Sequence, residues 1–453
     1  MRTIPISSDR SLVIAQLIRE FPEEEENIRA FFRRLESEKS IFAEFMMGKV
    51  LPFWLMRFLI WSGLLFRVSN FYASLGQSTL QVIAQYTQNP ELRLTLAYLF
   101  MDYGTAPEKS AWMIHSTLLR HYKYGAFYPM GGASQIPFSI IPVIERAGGA
   151  VMAKARVERI IVDEDGKACG VSVNGKHVIT APVVISDAGV TNTFGKLLPA
   201  DVAATSRYFT YLHKVGSGES CLQLFIGLRG TAKELTLPAS NYWLFSSGHN
   251  WDADLKKYLG RTLDGTLDTL EMEGASLPMM FLSFPSAKDP SWESRYPGTS
   301  TCIACCPARL DWFTDWEGSS VKKRGDQYLA KKELLGRKMW DQVCQLWPQL
   351  EDKMETMEVS TPLTNVHYLA AANGEIYGLD HSNERFLPRT IAGLRPDTDI
   401  PGLFLTGQDV TCCGFGGAMM GGLLCASKLL RRNLLYDLLL VKKKAQRKRV
   451  PVK

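Results

Sequence analysis

PGLFLTGQDVTCCGFGGAMMGGLLCASKLL, residues 401–430, is the stretch on which the fold turns. It reads as a short apolar strand at 403–405, a glycine-rich turn through Gly407, Gly414, Gly416 and Gly417, and a helix of small residues from Ala418 onward. A strand that passes into a helix through glycines brings backbone N–H groups and the positive end of a helix against an anion. The segment therefore predicts contact with a phosphate-bearing cofactor. Glycine suits such a turn because a Cβ would hold the backbone out of hydrogen-bonding range. Asp409 is placed to accept a hydrogen bond from a sugar or polyol hydroxyl. The plainer alternative is a tight strand-to-helix connection in a core of small residues.

Upstream lies a polar and aromatic stretch, TPLTNVHYLAAANGEIYG at 361–378. It offers His367, Tyr368 and Tyr377, with His381 just beyond, as candidate proton donors. For each the structural hydrogen-bond partner is the favoured role, and no catalytic residue is assigned. Before it come a helix of mixed charge at 327–346 and a strand at 356–361. Strand patterns at 222–228, 242–245, 279–284 and 301–306 predict a sheet of their own.

Earlier still, the turn Pro129-Met130-Gly131-Gly132 leads into a helical run at 134–146 that Pro142 should kink and Gly148-Gly149 closes. A meander follows, with strands at 157–162, 169–173 and 177–180, an Asn174-Gly175 hairpin turn, and a return to a buried strand at 183–186. The first 127 residues read as mainly helical. Within them LPFWLMRFLIWSGLLF, residues 51–66, contains Arg57 and falls short of the roughly 20 apolar residues that cross hydrocarbon. Trp54 and Trp61 make it one interfacial helix that dips into a leaflet or lines a greasy channel, or else a plain buried helix.

The composition, 453 residues at 46% hydrophobic and 22% charged, is that of a folded chain of two or three domains. Much of the net charge of +6 comes from Lys442, Lys443, Lys444, Arg447, Lys448, Arg449 and Lys453, a basic tail behind an apolar run. Such a tail either lies on an anionic membrane surface, at about 1 kcal/mol per cation, or is a solvated terminus. No basic stripe interleaved with aromatics runs through the body of the chain, which excludes nucleic acid as a partner. Nine cysteines without framework spacing indicate a reducing compartment. Cys302 and Cys305 form a C-x-x-C inside a strand pattern, where core packing is favoured over redox or zinc chemistry. No metal-ligand spacing and no nucleophile elbow is present. Residues 1–21 lack the apolar core of a signal peptide.

The loop 129–132, the helix closed by Gly148-Gly149, the meander ending in ISDAG at 185–189 and LTGQD at 405–409 together resemble one family. It is the flavin-dependent oxidoreductases that include phytoene desaturases, carotenoid isomerases and retinol-saturating enzymes. KYGAFYPMGGASQIPFSIIPVIERAGGAVMAKA, GKACGVSV, FPSAKDPSWESRYPG, PLTNVHYLAA and LTGQD resemble the retinol-saturating branch in order, over nearly the whole chain. The resemblance implies an α/β (α+β) chain with the two-domain FAD-dependent fold of the phytoene desaturase/amine oxidase type. Residues 128–200 and 361–437 would belong to the FAD-binding domain, 201–360 to the substrate domain, 1–127 to a substrate- or membrane-facing part, and 438–453 to the tail.

It further implies that Gly407, Asp409, Gly416 and Gly417 contact FAD with Gln408 adjoining, and that the backbone of Val157 lies against the adenine. The implied activity is saturation of the 13,14 double bond of all-trans-retinol to dihydroretinol, with NAD or NADP as electron source. The alternatives are a carotenoid isomerase or desaturase, or an inactive retinoid-binding relative. The implied setting is a peripheral or monotopic place on the endoplasmic reticulum membrane, with a retinoid or other polyene as partner. One departure stands out: the family's opening βαβ unit with G-x-G-x-x-G is missing, and Met419 follows Gly414-Phe415-Gly416 where a third glycine belongs. Met1 is thus expected to fall inside the family pattern, leaving 183–186 and 403–405 as exposed apolar strand edges.

Overall fold

The computed structural model describes residues 2–38, 41–246, 250–272 and 274–448. Its first part is helical for local reasons. Helix Arg10–Glu20 starts where the Asp9 carboxylate accepts from the Ser11 amide at 2.9 Å. Helix Glu25–Ser37 buries Ile28, Phe31, Phe32 and Leu35, spaced three and four apart along one stripe. The apolar stretch 51–66, expected as one helix, is two: Phe53–Trp61 and Leu64–Val68. Gly63 separates them in a left-handed conformation at φ 72°, which an L residue with a Cβ resists. Met56 and Leu65 point inward, whereas Trp54 and Trp61 are 70% and 83% exposed.

The meander forms as read. Strand β1 (Val157–Val162) pairs antiparallel with β2 (Ala168–Val173), and β2 with β3 (His177–Thr180). Asn174 and Gly175 both take positive φ, 52° and 63°, which suits the turn to the right-handed twist of the strands. Strand β4 (Val184–Ser186) follows.

The second sheet holds β5 (Ser220–Arg229), β6 (Tyr242–Phe245), β7 (Met279–Ser283), β8 (Thr299–Ala308) and β9 (Met354–Ser360) in the order β6-β7-β8-β5-β9, antiparallel throughout. Register lines up Tyr242, Leu282, Ala304, Leu224 and Val359 across all five strands. This row packs with Leu335, Met339 and Val343 of helix Asp326–Leu346 into one hydrophobic core. The adjacent row, Trp243, Phe281, Cys305 and Gln223, emerges on the opposite face and is only partly buried. The same alternation puts Cys302 and Cys305 on opposite faces of β8, so the C-x-x-C does not act as a pair.

The last strand, β10 (Leu403–Leu405), pairs in parallel with β4. Val184, Leu403 and Leu405 are buried, so the expected apolar exposure is confined to the other face, where Ile185 is half exposed. Helix Gln135–Arg146 continues through Pro142 and buries none of its side chains. Helix Leu434–Lys448 closes the described chain: Leu438 to Val441 and Lys442 to Lys444 are exposed, and Arg449 and Lys453 lie outside the described residues.

Candidate functional site

Strand β10 ends at Leu405, Gly407 follows two residues on, and helix Gly414–Leu429 begins seven residues after that. Gly407 has φ 82°, and a Cβ there would overlap the carboxylate of Asp187. Helix and turn touch backbone to backbone: a Cβ on Gly421 would run into the Gly407 carbonyl, and one on Gly417 into that of Cys412. Gly414 and Gly416 instead face open space. The helix is 16 residues long, and its N-cap, Cys413, provides no side-chain hydrogen bond to the first turn. The positive end of a long helix with an uncapped, open, glycine-lined first turn is what the sequence led one to expect of a cofactor contact.

Asp409 is 3% exposed and fastens the turn to its surroundings. Its Oδ2 accepts from the Val190 amide at 2.8 Å and its Oδ1 from the Leu379 amide at 2.9 Å. The carboxylate thus joins the β4 exit and the 373–382 loop to the glycine turn. Nearby Asp187 has its pKa raised, first by burial and then by the charge of Asp409.

Behind the turn sits a residue the sequence reading passed over. Arg385, 2% exposed, donates from Nη1 to the Leu379 carbonyl at 2.5 Å and from Nη2 to the Gln408 carbonyl at 2.6 Å. Its neighbour His381 is fully buried, and the Nε2 accepts from the Cys413 amide at 3.0 Å. That bond puts the imidazole proton on Nδ1, which finds no partner among the described residues. Burial, and then the charge of Arg385, hold the His381 pKa well below its ordinary value. His381 is therefore a neutral brace for the turn.

Tyr377 stands where three parts of the molecule meet. Its ring covers Gly104, and Asp102, Cys413, Cys221 and Cys305 are all near enough for their charge to oppose its ionisation, after burial as the main cause. Asp102 closes the short helix Tyr98–Asp102. It accepts from Trp243 Nε1 at 3.1 Å and from the Tyr122 hydroxyl at 3.3 Å. Burial raises its pKa to about 6, against the lowering effect of those two bonds. Asp102 and Tyr377 thus meet at a junction between Trp243 of the partly exposed sheet row, which continues through Phe281, Cys305 and Gln223, and Cys413 at the head of the glycine helix.

Of the other residues singled out by sequence, His367 and Tyr368 end helix Pro362–Tyr368 and are exposed. They line a different cavity, with Met152, Lys154, Arg156 and Arg324, which neither Tyr377 nor His381 borders. Val157 opens β1 opposite Val173, on the meander. Gln408 joins the turn through its carbonyl. Asp102 had one legible signal, a lone carboxylate inside the aromatic run YLFMDY at 98–103; Arg385 had none.

This architecture is the FAD-dependent oxidoreductase fold of the amine oxidase type. Putrescine oxidase bound to putrescine is similar at a TM-score of 0.51 and 12% identity, over 90% of this chain and 76% of that one. No protein-family model matches the chain. Sequence relatives narrow the class: the all-trans-retinol 13,14-reductases of Macaca fascicularis and Homo sapiens are 39% and 40% identical over 96% of this chain and 70% of theirs. A Danio rerio protein named as an inactive all-trans-retinol 13,14-reductase is 35% identical over 96% of this chain and 71% of its own. The chain belongs to the all-trans-retinol 13,14-reductase family.

Proposed function

We propose that this chain saturates the 13,14 double bond of all-trans-retinol, with FAD as its resident cofactor. The observation that carries the reading is the 39–40% identity to all-trans-retinol 13,14-reductases across 96% of the chain. The residues present fit the cofactor. Gly414 and Gly416 leave open space at an uncapped helix start, and the Gly407 and Gly417 backbones are fixed by close contacts that admit no Cβ. In this reading Gly407, Gln408, Gly416 and Gly417 hold the cofactor, Val157 meets its adenine end, and Asp409 shapes the turn. Bound and reduced, FAD supplies the hydride.

The chain's own part is to position an apolar rod and exclude water. The aromatic pair Trp243 and Phe281 on the sheet suits a polyene. The reading also takes NADH or NADPH as the source of electrons, and a peripheral place on the endoplasmic reticulum membrane. What supports the latter is the exposed Trp54, Phe58 and Trp61 on one short helix, and the apolar-then-basic helix Leu434–Lys448. Among the described residues no helix is long and apolar enough to cross a membrane.

The test is product analysis. The purified chain with FAD, NADPH or NADH and all-trans-retinol is expected to yield all-trans-13,14-dihydroretinol. Retinol bound but returned unchanged would overturn the reading in favour of an inactive relative.

A further inference from the structure

Away from the glycine turn, two cations crowd one aromatic ring. Helix Asp326–Leu346 carries Tyr328, Leu329 and Lys332 on its first two turns, and Arg324 lies just before it. The Arg324 guanidinium stands 5.1 Å from the centroid of the Tyr328 ring, and the Lys332 ammonium 5.5 Å from it. Neither cation makes an ion pair among the described residues. Arg324 is held by little. Its Nη1 donates to the Tyr328 hydroxyl at 3.2 Å, its Nη2 reaches the Leu363 carbonyl only at 3.5 Å, and its Nε, shielded from solvent, has no partner among the described residues. A guanidinium keeps its charge at any working pH. Burial lowers the pKa of Lys332, with the pull of Glu358 opposing it and the repulsion of Arg324 adding to it. Like charges that share a ring, partly buried and without a counter-ion, are stabilised by an anion beside them.

Both side chains line a cavity of about 460 Å³, within the roughly 300–1,000 Å³ of small-molecule sites. Lys322 adds a third cation to its wall, and Glu358, exposed on β9, is the one carboxylate there among the described residues. The rest of the wall is largely apolar and open to solvent. Phe225 of β5 is 41% exposed, Leu329 56%, and Tyr368 and Leu369 64% each. Large side chains this exposed, gathered about one cavity, mark a binding surface. The cavity adjoins the one lined by His367, since Arg324 and Tyr368 border both. No residue of the glycine turn lines it, which separates it from the cofactor contact.

We propose that this cavity binds an amphiphile with a carboxylate head and a long hydrocarbon chain, of which a long-chain fatty acid is the simplest. The carboxylate answers the charges of Arg324 and Lys332, its plane matching that of the guanidinium. The chain covers Phe225, Leu329 and Leu369. Both halves are needed: an apolar chain without a head leaves the two cations unpaired, and a small anion leaves the apolar wall in water. Each methylene that leaves water tightens binding by about fourfold. The inference does not rest on the retinol reading, because retinol carries no charge to answer Arg324 and Lys332.

The test is calorimetric titration of the purified full chain with oleate below its aggregation threshold, beside oleyl alcohol and acetate. Oleate is expected to bind one per chain and about tenfold or more tighter than oleyl alcohol, and acetate is expected not to bind measurably. Arg324→Leu should weaken oleate by about 10–100-fold through loss of a charged hydrogen-bond partner, and Lys332→Met several-fold. Because Arg324 also touches Tyr328 and Leu363, a second variant guards against a folding defect. Leu329→Asp changes a side chain more than half exposed, so its thermal midpoint should match wild type, while the new charge in the cavity should abolish oleate binding. Oleate that does not bind, or that binds Leu329→Asp as tightly as wild type, would overturn the proposal. So would oleyl alcohol bound as tightly as oleate, which would leave the cations without a role.

Discussion

Two neighbouring glycines in helix Gly414–Leu429 should respond to alanine in opposite directions. A Cβ on Gly421 would lie 2.9 Å from the Gly407 nitrogen and 3.0 Å from its carbonyl carbon, and nearer still to the carbonyl oxygen, where ordinary contact begins at 3.4 Å. All three atoms are backbone, so nothing can swing aside, and the helix must lift off the turn. Overpacking of this kind costs about 3 kcal/mol at the upper end of its range. The gain in helix propensity returns about 1 kcal/mol, leaving Gly421→Ala less stable by about 2 kcal/mol. Gly422, one residue on, has its nearest neighbour, Thr406 Oγ1, at 3.9 Å. There the propensity gain stands alone, and Gly422→Ala should be more stable by about 1 kcal/mol. The two variants should therefore differ by about 3 kcal/mol in urea unfolding, and Gly421→Ala should also lose bound FAD because the turn it displaces is the one that receives the cofactor. Equal stabilities, or a reversed order, would refute the close approach of helix and turn.

Other consequences are as direct. Lys49 is 2% exposed, donates to the Leu394 carbonyl, and has its pKa lowered first by burial and then by Arg385 and Arg395. Its folded pKa lies below the unfolded one, so the unfolded chain binds more protons between the two values and stability rises with pH across that window. Lys49→Met should abolish that rise and leave stability at neutral pH equal or higher, measured by denaturation from pH 7 to 10. Asp409→Asn replaces one of two backbone-accepting oxygens with a donor that faces an N–H, and should cost about 2–3 kcal/mol in the same assay. Replacing Trp54 and Trp61 together by serine should leave thermal stability unchanged, because both are largely exposed, yet lower co-sedimentation with vesicles containing anionic lipid several-fold.

Much of the fold was legible because its strands alternate cleanly and its turns are marked. β1, β3 and β6 fall on the residues the pattern gave, and Asn174-Gly175 makes the hairpin that its positive φ preference dictates. What the sequence hid were relations between distant segments. Nothing local orders the large sheet as β6-β7-β8-β5-β9, and nothing local says that β4 and β10 find each other in parallel across more than two hundred residues. Gly63 broke a helix that apolar content alone extends to 66, since hydrophobicity carries no record of a left-handed backbone.

The candidate site divides in the same way. The glycine turn was visible because a close approach requires residues without a Cβ. Its supports were not. Asp409 reads in sequence as a ligand-facing carboxylate, but the fold uses both its oxygens on the amides of Val190 and Leu379. His381 reads as an acid and proves to be a buried acceptor for the Cys413 amide, steadied by an arginine that sequence gave no reason to notice. The polar-aromatic stretch splits, with Tyr377 turned to the junction and His367 and Tyr368 to another cavity.

The measurement that bears most directly on this account is the flavin content of the purified chain, read from its visible absorbance and from FAD released on denaturation. The account predicts about one FAD per chain, held by the glycine turn and lost in Gly421→Ala. A folded chain that carries no flavin and takes up none when FAD is added would contradict it.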